Sequence, residues 1–123
     1  VEKRKKVIAF DFDGVIASYD GWKGFDVFGE PKYGVIQIME KLKDEGYKII
    51  IWTTRPFTEA MREWLRINKV PYDSVNRTDH NPPMTSTKPI FHAFIDDRGI
   101  GFRNMTPNEL YEEIHKLVDD IKE

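Results

Sequence analysis

Cysteine is absent from the 123 residues, which excludes disulfides, thiolate metal sites and a cysteine nucleophile. No apolar run approaches the ~20 residues needed to cross a bilayer. Net charge is nearly absent: 19 Lys and Arg stand against 21 Asp and Glu, a formal −2. Nothing therefore pulls the chain as a whole toward nucleic acid or an anionic membrane. The basic run Lys3-Arg4-Lys5-Lys6 reads as a solvated lead-in to the first strand, with contact to a polyanion as the alternative. A secretory leader pattern is missing, since only about five apolar residues follow that run before Asp11. A cytoplasmic location is the expectation. Repeats and low-complexity stretches are also lacking.

What remains is an ordinary globular composition, 40% hydrophobic and 33% charged. A chain of this length supports one core, so residues 1–123 are expected to form a single domain.

The most informative stretch is Val7-Ile8-Ala9-Phe10-Asp11-Phe12-Asp13-Gly14. An apolar segment of strand character ends in two aspartates separated by one residue. A strand alternates its faces, so Asp11 and Asp13 are expected on one side and Phe12 on the other. Paired carboxylates repel, and a cation is the natural reason to place them together. Gly14 lets the chain turn sharply where a ligand would approach. A strand followed by a solvated acidic turn explains DxDG alone equally well.

The pattern recurs. Tyr47 to Trp52 ends in Thr53-Thr54-Arg55-Pro56, and Ile90 to Ile95 ends in Asp96-Asp97-Arg98-Gly99, with Lys88 just before it. Three apolar strands thus deliver polar groups at their C-terminal ends, the edge where open parallel sheets bind ligands. Strands are expected at Val7 to Phe12, Lys48 to Thr53, Tyr72 to Val75 and Phe91 to Ile95, with a short edge strand at Gly101 to Arg103. Helices are expected at Tyr33 to Glu45 (stopped at Gly46), at Thr58 to Asn68, and from the Thr106-Pro107 cap to about Ile121. Ala17 to Lys32 reads as an irregular flap with a hairpin around Asp26–Gly29, and Arg77 to Pro89 as a loop. Alternating strands and helices give an α/β fold: a three-layer α/β/α sandwich with a mainly parallel, Rossmann-like sheet. Trp52, Trp64 and Phe94 are expected in the core.

The set DxDG, a strand ending in Thr, a lysine, and a strand ending in DD resembles the haloacid dehalogenase superfamily of phosphohydrolases. The four motif regions span Asp11 to Asp97. The small size, the IDDR ending and Asn81-Pro82-Pro83 look like its short capless members. The resemblance implies Asp11 as a nucleophile forming an aspartyl-phosphate and Asp13 as general acid/base. It implies Thr53 and Lys88 as stabilisers of the phosphoryl group, with Thr54 and Arg55 beside them at the substrate. It implies Mg²⁺ held by Asp11, Asp96, Asp97 and the backbone carbonyl of Asp13. An acid/base at position 13 separates phosphatase-like members from dehalogenases, which lack it, and from transport ATPases, which carry threonine there.

Each residue has a plainer reading. Thr53 caps a strand, Lys88 is a surface lysine, Asp96 and Asp97 cap the turn at Gly99, and Arg55 pairs with Asp79 or a helix carboxylate. Neither Val15 to Lys32 nor Arg77 to Thr87 is long enough to fold as a separate cap. The resulting open site suits a phosphate carried by a larger object, such as a nucleic-acid end, or one closed by a second copy of the chain. Tyr19, Trp22, Phe25 and Phe28 in the flap are available to stack on a ring, seal a dimer contact or form local core. The expectation is a Mg²⁺-dependent phosphomonoesterase. The alternatives are a phosphotransferase or mutase of the same fold and a non-catalytic phosphate-binding regulatory module.

Overall fold

A computed structural model of the chain describes residues 6–77, 81, 91–101 and 103–120. Its elements run β1 (Val7–Phe10), α1 (Tyr33–Asp44), β2 (Lys48–Ile51), α2 (Glu59–Ile67), β3 (Ser74–Val75), β4 (Ala93–Ile95) and α3 (Pro107–Asp120). The four strands form one parallel sheet in the order β3-β2-β1-β4. The α/β class is as expected. The strands are shorter than expected: β1 and β2 stop two residues early at the polar edge, and β3 and β4 begin two residues late. The proposed edge strand at 101–103 does not form: Gly101 and Arg103 carry no strand pairing, and Phe102 lies outside the described residues.

The chain steps from β1 to β2 to β3 in one direction across the sheet. Right-handed crossovers then place α1 and α2 on the same face. The packing agrees: Ile8, Phe10, Ile49 and Ile51 share one cluster with Ile36 and Met39 of α1 and Met61 and Leu65 of α2. Alternation sends Val7, Ala9 and Ile50 to the opposite face, where Trp52 and Phe91 pack against them. No residue of α3 is buried.

Local chemistry fixes the helix ends. Gly46 (φ 96°) follows the Glu45 cap, its N–H donating to Lys43 O while Tyr47 N–H donates to Leu42 O. This is the Schellman arrangement, which needs a left-handed residue at that point. Thr58 accepts from Met61 N–H at 3.2 Å, and Thr106 and Glu109 bond each other's backbone N–H groups as a capping box. Under the opposite edge, Asp73 joins Lys43 at 2.7 Å and Ile49 N–H at 2.7 Å. Burial pushes the Asp73 carboxyl up, but these two bonds and the charges of Lys43 and Lys48 outweigh it and leave its pKa below the ordinary carboxylate value.

The flap is tied at its stem. Ala17 bridges both Asp13 and Pro31, and Ser18 N–H donates to Glu30 O at 2.8 Å. The turn sits at Phe25-Asp26, slightly before the expected hairpin, with Val27 N–H on Gly24 O. Gly29 is required here, because a Cβ on it would lie 1.8 Å from Ser18 O.

Candidate functional site

The central strand continues one bond past β1. Asp11 N–H donates to Ile95 O at 2.9 Å, and Trp52 N–H donates to Phe10 O at 2.9 Å. Asp11 is therefore held between the C-terminal ends of β2 and β4, with Thr53 on one side and Asp96-Asp97 on the other. Carboxylate oxygens of Asp11, Asp96 and Asp97 lie within 4.8 Å of one another. The convergence inferred from three separate strand ends is present.

Close approach of backbone and side chain shapes this cluster. Gly14 has φ +83°, and a Cβ there would stand 2.1 Å from Asp97 Oδ2. The glycine makes room for a side chain of the site itself, not for an incoming ligand as the sequence suggested. Gly99 does the same for Asp96, whose Oδ2 would be 2.8 Å from an added Cβ. Asp96 Oδ1 also accepts from Arg98 N–H at 3.1 Å.

Asp11 Oδ1 accepts from Phe12 N–H at 2.7 Å. Even so, its pKa is pushed up to about 7. Burial is the largest cause, the Phe12 bond opposes it, and the charges of Asp97, Asp96 and Asp13 add to the rise. A carboxylate in that state gains most from an oxygen-seeking cation, so the three aspartates fit a divalent ion such as Mg²⁺ by donor type and by electrostatics. The linkage has a definite sign. With no cation bound, folding takes up a proton between pH 3.8 and about 7, so stability falls as pH rises through that window. Discounted for screening of a half-exposed group, the effect is about 1–2 kcal/mol. In a chelating buffer, Asp11→Asn is expected to melt about 3–8 °C above the wild type at pH 8 and level with it at pH 4. Mg²⁺ should raise the wild-type midpoint at pH 8 and leave the variant almost unmoved. Scanning calorimetry at the two pH values checks both; a variant less stable than wild type at pH 8 contradicts the electrostatic account.

Asp13 lines the same cavity as Asp11, but its carboxylate stands outside the cluster of Asp11, Asp96 and Asp97. Strand alternation does not place it there, because β1 has ended and the chain is already turning onto Phe12 O. Asp13 Oδ2 accepts from Arg55 Nε at 2.8 Å, while the buried Oδ1 has no hydrogen-bond partner.

Arg55 corrects an expectation. It was placed at the substrate, yet it is only 4% exposed and absent from the cavity wall beside Asp11. Besides Asp13, its guanidinium bonds the carbonyls of Gly24 (3.2 Å), Phe25 (2.9 Å) and Val27 (3.0 Å). The rings of Trp22, Phe28 and Phe12 surround it, with Trp22 at 4.7 Å. Arg55 ties the flap to Asp13 and lies away from the cavity wall.

Thr53 is where expected. Asn76 holds its backbone, accepting from Thr53 N–H at 2.8 Å and donating to Arg55 O at 3.0 Å. Asn76 does this from a left-handed conformation (φ 55°). Thr53 Oγ1 accepts from Arg55 N–H at 3.2 Å, leaving the hydroxyl proton to donate into the cavity that Thr53 and Thr54 line. Lys88 lies outside the described residues.

The cavity encloses about 430 Å³ and is bounded by Asp11, Asp13, Thr53, Thr54 and Asp97, with Arg98 and the aromatics Tyr19, Trp22, Trp52 and Phe94. Phe94 was expected in the core. It is exposed instead: none of the three residues of β4 is buried, and neither is any residue of α3. Of the flap aromatics weighed for ring stacking, Tyr19 and Trp22 line the cavity; Arg98, Trp52 and Phe94 were missed as site residues, and the only signal for Arg98 was its place directly after the acidic pair.

Two solved structures share this arrangement of the chain. A conserved protein from Bacteroides thetaiotaomicron aligns over 96% of this chain and 93% of its own, at 22% identity and TM-score 0.63. A target protein from Vibrio cholerae aligns over 93% and 97%, at 24% identity and TM-score 0.51. These likenesses show the fold alone. No family model and no curated protein matches the sequence. No helix among the described residues is long and apolar enough to cross a membrane.

Proposed function

We propose that the chain is a divalent-cation-dependent phosphomonoesterase working through a phosphorylated Asp11. One observation carries this reading: three carboxylates from two adjacent parallel strands meet at the ligand-binding edge, beside a fourth carboxylate with a free buried oxygen. The resemblance to the haloacid dehalogenase superfamily supports it. Asp11, Asp96 and Asp97 would hold Mg²⁺, which when bound cancels the repulsion between the Asp11 carboxylate and a phosphate dianion.

In the first half-reaction an Asp11 oxygen bonds to phosphorus and the ester P–O bond breaks, its electron pair leaving with the alcohol oxygen. Asp13 gives that oxygen a proton. Arg55 Nε holds Oδ2, and Oδ1 is buried with no hydrogen-bond partner. In the second half-reaction Asp13 takes a proton from water. The water oxygen attacks phosphorus, and the bond to Asp11 breaks to release inorganic phosphate. The Thr53 hydroxyl donates to a phosphoryl oxygen throughout, and the Arg98 cation on the cavity wall offsets charge on the other oxygens. Lys88 joins them if the resemblance holds. The substrate is a phosphate monoester, with macromolecular and nucleic-acid-end phosphates suited to a site that no separate cap covers among the described residues.

The test is hydrolysis of p-nitrophenyl phosphate and of a panel of phosphate monoesters, with Mg²⁺ and then with EDTA. Turnover that disappears on chelation and returns with added Mg²⁺ is expected. No turnover anywhere in the panel, with the protein folded and Mg²⁺ present, removes the hydrolase reading.

A further inference from the structure

Four aromatic residues line the cavity together with its carboxylates, unlike a plain phosphate site. We infer that the cavity selects phosphate monoesters whose organic group carries a planar ring, which stacks on Trp22 and Phe94. This rests on the hydrolase reading for the phosphate end, and on separate observations for the ring end.

Volume is the first of these. A phosphate group alone fills only a small part of about 430 Å³, so the space holds the organic part of the substrate as well. The second is composition. Tyr19, Trp22, Trp52 and Phe94 all border the same space as Asp11 and Asp97. An indole 48% exposed and a phenyl ring 37% exposed lose hydrophobic free energy by staying in contact with water.

The third is rigidity. Trp22 is not a loose surface ring. The buried Arg55 guanidinium lies 4.7 Å from its centroid, and Phe25 meets it edge-on at 5.4 Å and 82°. Arg55 is in turn fixed by Asp13 and three flap carbonyls. Phe94 is held on β4 and packs on Phe91 at 5.0 Å. Two exposed rings, fixed beforehand on separate elements, cost little to order when a third ring settles against them. The link through Arg55 to Asp13 also couples ring placement to the proton-donating group. A ring seated on Trp22 reports, through Arg55, on the same side chain that serves the leaving oxygen.

Two sources supply such a ring: a nucleobase on a nucleoside monophosphate, or a phenol ester such as phosphotyrosine. Binding separates them on the Asp11→Asn protein, which should not turn the esters over, by calorimetry and by tryptophan fluorescence. Adenosine 5′-monophosphate is compared with ribose 5-phosphate, and phosphotyrosine with phosphoserine. Each pair shares its charge and differs chiefly in the ring. About tenfold tighter binding of the ring-bearing member is expected in at least one pair, which names the source. Ratios below three in both pairs overturn the proposal. Trp22→Ala should bring the preferred pair's ratio to about one. Phe94→Ala, on a different element, should lower it separately, and Trp22→Phe should restore part of it. A ratio unchanged in both alanine variants also overturns it.

The two readings fail differently. Ring preference in binding without turnover of any of the four esters would sink the hydrolase and leave the ring site. Turnover with equal kcat/KM and equal affinity within each pair would sink the ring site and leave the hydrolase.

Discussion

Replacing Asp11 by Asn should reduce phosphate ester turnover by about 10⁴-fold or more while leaving the protein folded. The magnitude follows from the role. A side chain that forms the covalent intermediate cannot be half-replaced, and loss of a nucleophile removes most of the chemical acceleration at once. The amide keeps the shape and still accepts the Phe12 N–H bond at the same oxygen. It removes the charge that burial and three neighbouring aspartates oppose. Stability and activity should therefore move in opposite directions at pH 8, which separates lost chemistry from lost structure. Steady-state kinetics and a melting curve on the same sample check this. A variant that keeps more than about a tenth of wild-type turnover shows that Asp11 is not the attacking group.

The second large effect is on stability. Arg55→Ala is expected to cost about 3–5 kcal/mol, the range for removing one partner of a buried, hydrogen-bonded ion pair. Asp13 would keep a charge with no cation beside it, and the carbonyls of Gly24, Phe25 and Val27 would lose their donors. Against a total stability of roughly 5–15 kcal/mol for an ordinary domain, this lowers the melting point by about 10 °C or more. Arg55→Lys restores the charge but not the fork, since one ammonium cannot reach a carboxylate and three carbonyls in fixed directions. It should recover less than half of the loss. Urea denaturation of the three proteins, with protease cleavage in the flap as a second readout, measures it. A cost below about 1 kcal/mol for Arg55→Ala means that the flap is held by its stem alone.

These two aspartates and this arginine show where a sequence is legible. Asp11 and the Asp96-Asp97 pair could be placed because each follows an apolar run, and parallel strands bring such ends to one edge by topology alone. Helix starts at Thr58 and Thr106 and the stop at Gly46 were equally readable, since caps depend on a few adjacent residues. Arg55 was misplaced for a physical reason. Three of its four bonds go to backbone carbonyls, which every residue owns and no side chain advertises. Its fourth partner, Asp13, lies 42 positions away. The close approach of Asp97 to Gly14 escaped notice in the same way: the glycine was visible, but its occupant came from another strand. Phe94 looked like core because it is apolar and sits in a strand. Among the described residues β3 and β4 both flank the sheet, yet Ser74 and Val75 are buried and Phe94 is exposed, so burial there depends on what packs over the strand, which composition does not show.

The order of the strands has a consequence for the carboxylate cluster. Two of its three members follow β4, a strand of three exposed residues with a neighbour on one side only among the described residues. The remaining member continues β1, whose residues are buried and paired on both flanks. Peeling away a single short ribbon would dismantle the cluster while the large apolar cluster beneath α1 and α2 stays intact. Under the proposed function, cation affinity and the free energy of that local opening are linked: whatever clamps the ribbon would sharpen the grip on a cation, and a bound cation would in turn clamp the ribbon.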